Sequence, residues 1–131
     1  LMLRTIYNIA LRYGYGYNNE QEQKFVLRII ATSLQWGEEL RRADRWLNAY
    51  ITHGLDLDTG TVDELIEKVS EALARNLLIM KFIQGKPIVG VIGGAADFVY
   101  MEKISDYAEL KYRRRFLTDR EHEERYGMKR S

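Results

Sequence analysis

Asp58-Thr59-Gly60 is the tripeptide that carries the catalytic carboxylate of aspartic proteases. That chemistry needs two carboxylates sharing one proton at the tips of a β-framework. Here the flanking residues read as helices, and a three-residue match arises readily by chance. The tripeptide is therefore taken as a loop leading into a helix. Asp56, Asp58, Glu64 and Glu67 have the spacing of a calcium loop, but Thr61 stands where that loop needs a glycine. Thr61 and Glu64 would also start a helix inside the loop, as a capping box. His53 and His122 are the only histidines and no cysteine is present. Neither histidine has a partner one helical turn away, as a zinc site on a helix requires. No catalytic residue, metal site or cofactor is assigned.

Two clusters remain. Lys111, Arg113, Arg114 and Arg115 form a basic patch that would suit anionic headgroups or an acidic partner. Glu102, Asp106, Glu109, Asp119, Glu121, Glu123 and Glu124 surround it, so a solvated, salt-bridged helix end is the favoured alternative. The second cluster starts at Pro87. Gly90, Gly93, Gly94 and Asp97 follow i, i+3, i+4, i+7 spacing and form a nearly bare helical stripe flanked by Ile88, Val89, Val91, Ile92 and Ala95. Each glycine costs a helix about 1 kcal/mol relative to alanine, so something must compensate. Close backbone contact between helices is the first explanation. Shallow insertion of the apolar hairpin Leu77–Ala96 into a membrane interface, with Lys81 and Lys86 reaching headgroups, is the second. The Lys-Ser/Thr pair of a phosphate-binding loop is missing.

The elements that position these clusters are helical. With 46% hydrophobic and 30% charged residues the 131-residue chain is globular and large enough for one domain with a core. A net charge of +1 gives no field to recruit nucleic acid. No run reaches the roughly eighteen apolar residues of a spanning helix. Leu3, Ile6, Tyr7, Ala10 and Leu11 predict a first helix, ended by Gly14. Asn19 and Glu22 start a second, which carries Phe25, Val26, Ile29 and Ile30 to about Trp36. Leu40, Ala43, Leu47, Tyr50 and Ile51 share one face of a third, with Trp36 and Trp46 on or beside the buried stripe. Val62, Leu65, Ile66, Val69, Leu73, Leu77, Met80 and Ile83 line a fourth. A fifth is predicted from about Ile88 to Phe116, followed by a short charged helix or tail. The expected fold is a single all-α domain of five to six helices, with a Gly-rich helical hairpin around residues 77–101. The chain begins on leucine, and its first helix has no capping residue, so an upstream segment is expected.

The Pro87-Ile88-Val89-Gly90-Val91-Ile92-Gly93-Gly94-Ala95-Ala96-Asp97-Phe98-Val99-Tyr100 segment resembles the Gly-rich element of the EcsC protein family, with Asp97 where asparagine is more usual. Arg113-Arg114-Arg115-Phe116-Leu117, Glu124-Arg125-Tyr126-Gly127 and Leu3-Arg4-Thr5-Ile6, with Tyr13-Gly14 behind it, resemble further segments of that family in the same order. The resemblance implies the C-terminal portion of such a domain, with the N-terminal segment missing. The family takes its name from a protein encoded beside a bacterial ABC exporter, and it brings no catalytic residues with it. It implies a non-enzymatic accessory protein, cytoplasmic or peripheral at the cytoplasmic face of a membrane and associated with an ABC transporter. A soluble helical scaffold that binds another protein is the competing expectation. The partners expected are a protein or a membrane surface, not nucleic acid, with self-association through exposed apolar surface as a further expectation.

Overall fold

The computed structural model describes residues 2–55, 58–84 and 95–127. Among them are five helices and no strand: α1 Met2–Arg12, α2 Glu20–Ser33, α3 Gly37–His53, α4 Val62–Gln84 and α5 Ala95–Tyr126. The all-α expectation holds. The Pro87 start of the last helix lies outside the described residues. Its predicted break near Phe116 is absent, because α5 continues through the charged segment to Tyr126. Residues 117–126 hold neither proline nor glycine, so nothing in them stops a helix.

The order of burial follows from α2. Phe25-Val26-Leu27 and Ile29-Ile30-Ala31 put apolar side chains on most sides of this helix, which marks it as central. It packs against α1, α3, α4 and α5, while α5 also packs against α1 and α3. Leu47, Tyr50 and Ile51 from α3, Leu65, Val69 and Ala72 from α4, and Ile104, Ala108 and Tyr112 from α5 close around it. Full burial of each large apolar side chain is worth about 1.5–3 kcal/mol, so this shell is the main source of stability.

The first helix is rotated from its predicted face. Ile6, Ile9 and Ala10 are buried, whereas Leu3 and Leu11 are exposed. Ile6 and Ala10 are buried as predicted, and contact with α2 and α5 brings in Ile9 in place of Leu3 and Leu11. On α4, Leu65 and Val69 are buried as expected but Ile66 is exposed, and Ala72 and Asn76 complete the stripe.

The helix ends are written locally. Gly14 has φ +85°, and its N–H reaches Leu11 O at 3.0 Å while Tyr15 N–H reaches Ala10 O at 2.9 Å. This is the Schellman arrangement, in which glycine takes the left-handed position without a Cβ clash. Asn19 Oδ1 accepts from Glu22 N–H at 2.8 Å and starts α2. Thr61 and Glu64 exchange reciprocal bonds ahead of α4, as the capping box predicts.

Candidate interaction surfaces

The basic run on α5 divides by helical geometry. Lys111 and Arg115 are four residues apart and fall on the face that carries Ile104, Ala108 and Tyr112, so they point into the bundle. Arg113 and Arg114 face solvent. The four residues do not form one patch, and the exposed part of the basic cluster is only this central pair. The reason is visible in the sequence once the apolar stripe of α5 is extended past Tyr112.

Each buried cation has a dedicated partner. Arg115 donates from both terminal nitrogens to the two carboxylate oxygens of Glu22, at 2.6 and 2.7 Å. Its guanidinium lies 3.8 Å from the centre of the Tyr15 ring and 5.0 Å from that of Phe25. Burial would lower the Arg115 pKa, but the Glu22 bonds and charge outweigh it and raise the value. Lys111 Nζ donates to Asn48 Oδ1 at 2.6 Å and lies 2.7 Å from Asp44 Oδ1. Tyr107 donates to the same Asp44 oxygen at 2.6 Å. Burial pushes the Asp44 carboxyl up, and the bonds from Lys111 and Tyr107 more than reverse it, holding it below its ordinary value.

Tyrosines near the start of the chain also act as tethers. Tyr13 donates to Glu109 at 2.6 Å and Tyr15 to Asp119 at 2.5 Å, while Tyr7 stacks on Tyr17. The Tyr13 pKa is raised chiefly by its bond to Glu109; burial leads the rise at Tyr15. Tyr50 and Tyr112 bury hydroxyls that have no partner among the described residues, and burial raises both pKa values. None of these four phenols is poised to act as a base near neutral pH.

Asp58 of the Asp-Thr-Gly tripeptide is a structural residue. Arg28 donates Nε and Nη2 to its two carboxylate oxygens at 2.9 and 3.0 Å, and Gly60 N–H adds a third bond at 3.0 Å. Lys24 Nζ donates to the Asp58 carbonyl at 3.0 Å. Burial raises the Asp58 carboxyl, and these donors bring it below its ordinary value. The loop is thus fastened to α2. No cluster of metal-ligating side chains occurs among the described residues, although Asp56 lies outside them.

An open cleft of about 770 Å³ lies between α3 and α4, floored by α2. Its lining includes Arg28, Arg42, Trp46, Lys68 and Arg75, together with Glu39 and Glu71. Trp46 is 43% exposed and stacks on Tyr50 with ring centres 5.1 Å apart, while the Arg28 guanidinium lies 4.7 Å from its centre. Trp36 is 51% exposed. Both tryptophans were expected on or beside the buried stripe. Leu47, Tyr50 and Ile51 fill that stripe; Trp46 lies beside it, stacked on Tyr50 at the cleft wall, whereas Trp36 is turned outward. The cleft has no signal in the sequence, because it depends on how far apart α3 and α4 stand on α2.

The match to a protein-family model spans residues 1–117, and that model describes the EcsC protein family. The chain belongs to the EcsC protein family. No curated protein and no solved structure matches it significantly. The EcsC match includes both buried cross-links of α5 and ends at Leu117, partway along that helix. Glu124-Arg125-Tyr126-Gly127, read above as part of the resemblance, lies beyond the matched residues. Of the EcsC Gly-rich element, Pro87, Gly90, Gly93 and Gly94 lie outside the described residues. Asp97 is in the first turn of α5, with its side chain likewise outside them. The middle of the hairpin expected around residues 77–101 lies outside the described residues too. No helix among the described residues is long and apolar enough to cross a membrane.

Proposed function

We propose that this EcsC-family chain is a non-enzymatic accessory domain that works by binding. It acts at the cytoplasmic face of a membrane, with a protein of an ABC transporter as partner. The observation that carries the binding role is the α3–α4 cleft, whose walls of mixed basic and acidic side chains and half-exposed Trp46 offer both charge and apolar contact. Aromatic and arginine side chains are the groups that most often anchor protein interfaces. The ionisable groups inside the bundle support the same reading, since Glu22, Asp44, Asp58, Lys111 and Arg115 are occupied in cross-links between elements. The place beside a transporter rests on family kinship.

A soluble scaffold without a membrane role is the second reading, and one observation favours it. With Lys111 and Arg115 buried, the exposed basic pair Arg113 and Arg114 is a small electrostatic footprint for lipid. Inverted bacterial membrane vesicles, which expose the cytoplasmic face, separate the two readings. The first expects the chain to sediment with such vesicles, and to lose that binding after protease treatment of the vesicles or in Arg42→Glu/Arg75→Glu. Failure to sediment with any vesicle would leave the scaffold.

A further inference from the structure

We propose that Asp58-Thr59-Gly60, the tripeptide left without a catalytic role, is the positioning element of the α3–α4 cleft. It fixes Arg28 as a donor for a backbone carbonyl of the partner protein, with an apolar side chain of that partner beside Trp46. The proposal rests on the reading of this cleft as a binding site.

The fork is closed from the loop side. Arg28 Nε and Nη2 are taken by the two Asp58 oxygens, and no acceptor for Nη1 occurs among the described residues. Asp58 is itself held in place, through Gly60 N–H on Oδ1 and Lys24 Nζ on its carbonyl. The Asp58 side chain is 1% exposed, whereas that of Arg28 is 20% exposed and lines the cleft. What the pair presents to a partner is therefore the guanidinium, held in one orientation. Position 60 has to stay bare. A Cβ there would stand 3.1 Å from Arg28 Nη2 and 3.2 Å from Asp58 Oδ1, close enough to push the fork aside.

The chemistry of the fork selects the acceptor. Arg28 and Asp58 together carry no net charge, so Nη1 offers a directed hydrogen bond rather than a field. A second carboxylate would be repelled by the Asp58 charge, but a peptide carbonyl would not. The walls agree with this, since Arg42, Lys68 and Arg75 stand among Glu39 and Glu71 and do not call for a strongly charged segment. Trp46 supplies the apolar contact. Its indole stacks on Tyr50 and lies against Arg28, 4.7 Å from guanidinium carbon to ring centre, so the fork that fixes the donor also braces the indole. A donor and an aromatic ring ordered before binding lose less freedom when the partner arrives.

Fluorescence of Trp46 in a Trp36→Phe chain, and sedimentation of the chain with inverted bacterial membrane vesicles, test the proposal together. In the free chain, Asp58→Asn and Arg28→Lys should each change acrylamide quenching of Trp46; Arg28→Lys keeps the charge but cannot form the fork. Thr59→Ala, on the same loop but outside the fork, should leave quenching unchanged. Vesicle binding should weaken about tenfold in Asp58→Asn and in Arg28→Lys, the loss of one well-placed hydrogen bond, with circular dichroism showing both variants folded. Gly60→Ala should weaken it in the same direction. Wild-type binding in both fork variants, or Trp46 quenching indifferent to them, would overturn the positioning role. Tighter binding in Asp58→Asn, which frees the Arg28 charge, would make the partner's group a carboxylate and overturn the carbonyl. A wild-type chain that sediments with no vesicle would instead remove the binding role itself, an outcome distinct from both.

Discussion

Arg115 of α5 and Glu22 of α2 are 93 positions apart and share two hydrogen bonds of 2.6 and 2.7 Å, each residue less than 10% exposed. The pair joins the central helix to the longest one, and Tyr15 closes over it from the α1–α2 loop. In the sequence, Asn19 and Glu22 together mark the start of α2. Asn19 keeps that role, but the Glu22 carboxylate is diverted across the bundle. Such a pair repays its desolvation only while both members are present. Glu22→Ala should therefore lower stability by about 3–5 kcal/mol, read from urea denaturation. Glu22→Leu/Arg115→Met, which removes both charges and retains bulk, should recover most of that loss. A double variant no better than the single one would show that the contact is needed for its geometry.

Acid sensitivity should come from Asp44 and Asp58. Both carboxyls are held below their ordinary value in the folded chain, so above an unfolded value of about 3.9 each contributes its full stabilisation. As pH falls below about 4, the unfolded chain takes up protons that the folded chain still refuses, and stability drops until the folded values are passed. Urea midpoints measured between neutral and strongly acidic pH should fall across that window. Asp44→Asn and Asp58→Asn should each flatten the fall, and Asp58→Asn should also loosen the loop that Arg28 holds. A profile unchanged by both substitutions would place the acid sensitivity elsewhere.

The fold was legible in the sequence wherever one helix decides its own fate. Gly14 and the Thr61–Glu64 box act within a single turn, so their spacing suffices. Periodicity likewise identifies the buried faces of α2 and α3, where Phe25, Ile29, Leu47 and Ile51 have few rivals. On α1 it finds Ile6 and Ala10 but misplaces the edges of the stripe, because Ile9 is buried while Leu3 and Leu11 are exposed, and only the neighbouring helices decide this. The basic run shows a different failure. Lys111 and Arg115 were weighed by charge, although their spacing from Ile104, Ala108 and Tyr112 places them inside. Long-range partners such as Glu22 and Asp44 leave no local mark. The cleft beside Trp46 depends on helix separation, which no pattern along the chain encodes.

Trp36 and Trp46 offer a direct check on that last point. Trp36→Ala should change stability by no more than about 0.5 kcal/mol, as for other exposed positions. Leu47→Ala, which empties a fully buried position on α3, should cost about 2–5 kcal/mol. In the Trp46→Phe variant the remaining Trp36 should fluoresce at long wavelength and be readily quenched by acrylamide. A blue-shifted, protected Trp36 would mean that its surface is covered in solution, and dilution would then tell whether a second copy is responsible.

Asn76 gives the most exacting test of the core. It is 5% exposed on α4, and its amide nitrogen donates to Leu34 O at 3.1 Å and to Ala72 O at 2.7 Å. Leu34 caps the C-terminus of α2, where the carbonyls have lost their partners within the helix. The side chain thus couples the end of α2 to the middle of α4. Asn76→Leu keeps most of the volume but leaves the Leu34 carbonyl buried without its donor, which should cost about 1–3 kcal/mol. Asn76→Gln retains the donor on a longer stem, and its cost would come from overpacking. Hydrogen exchange distinguishes these cases, because loss of the cap should speed exchange at the last turn of α2 while leaving its first turn unchanged. Uniform acceleration along α2 would indicate a packing defect rather than a lost cap.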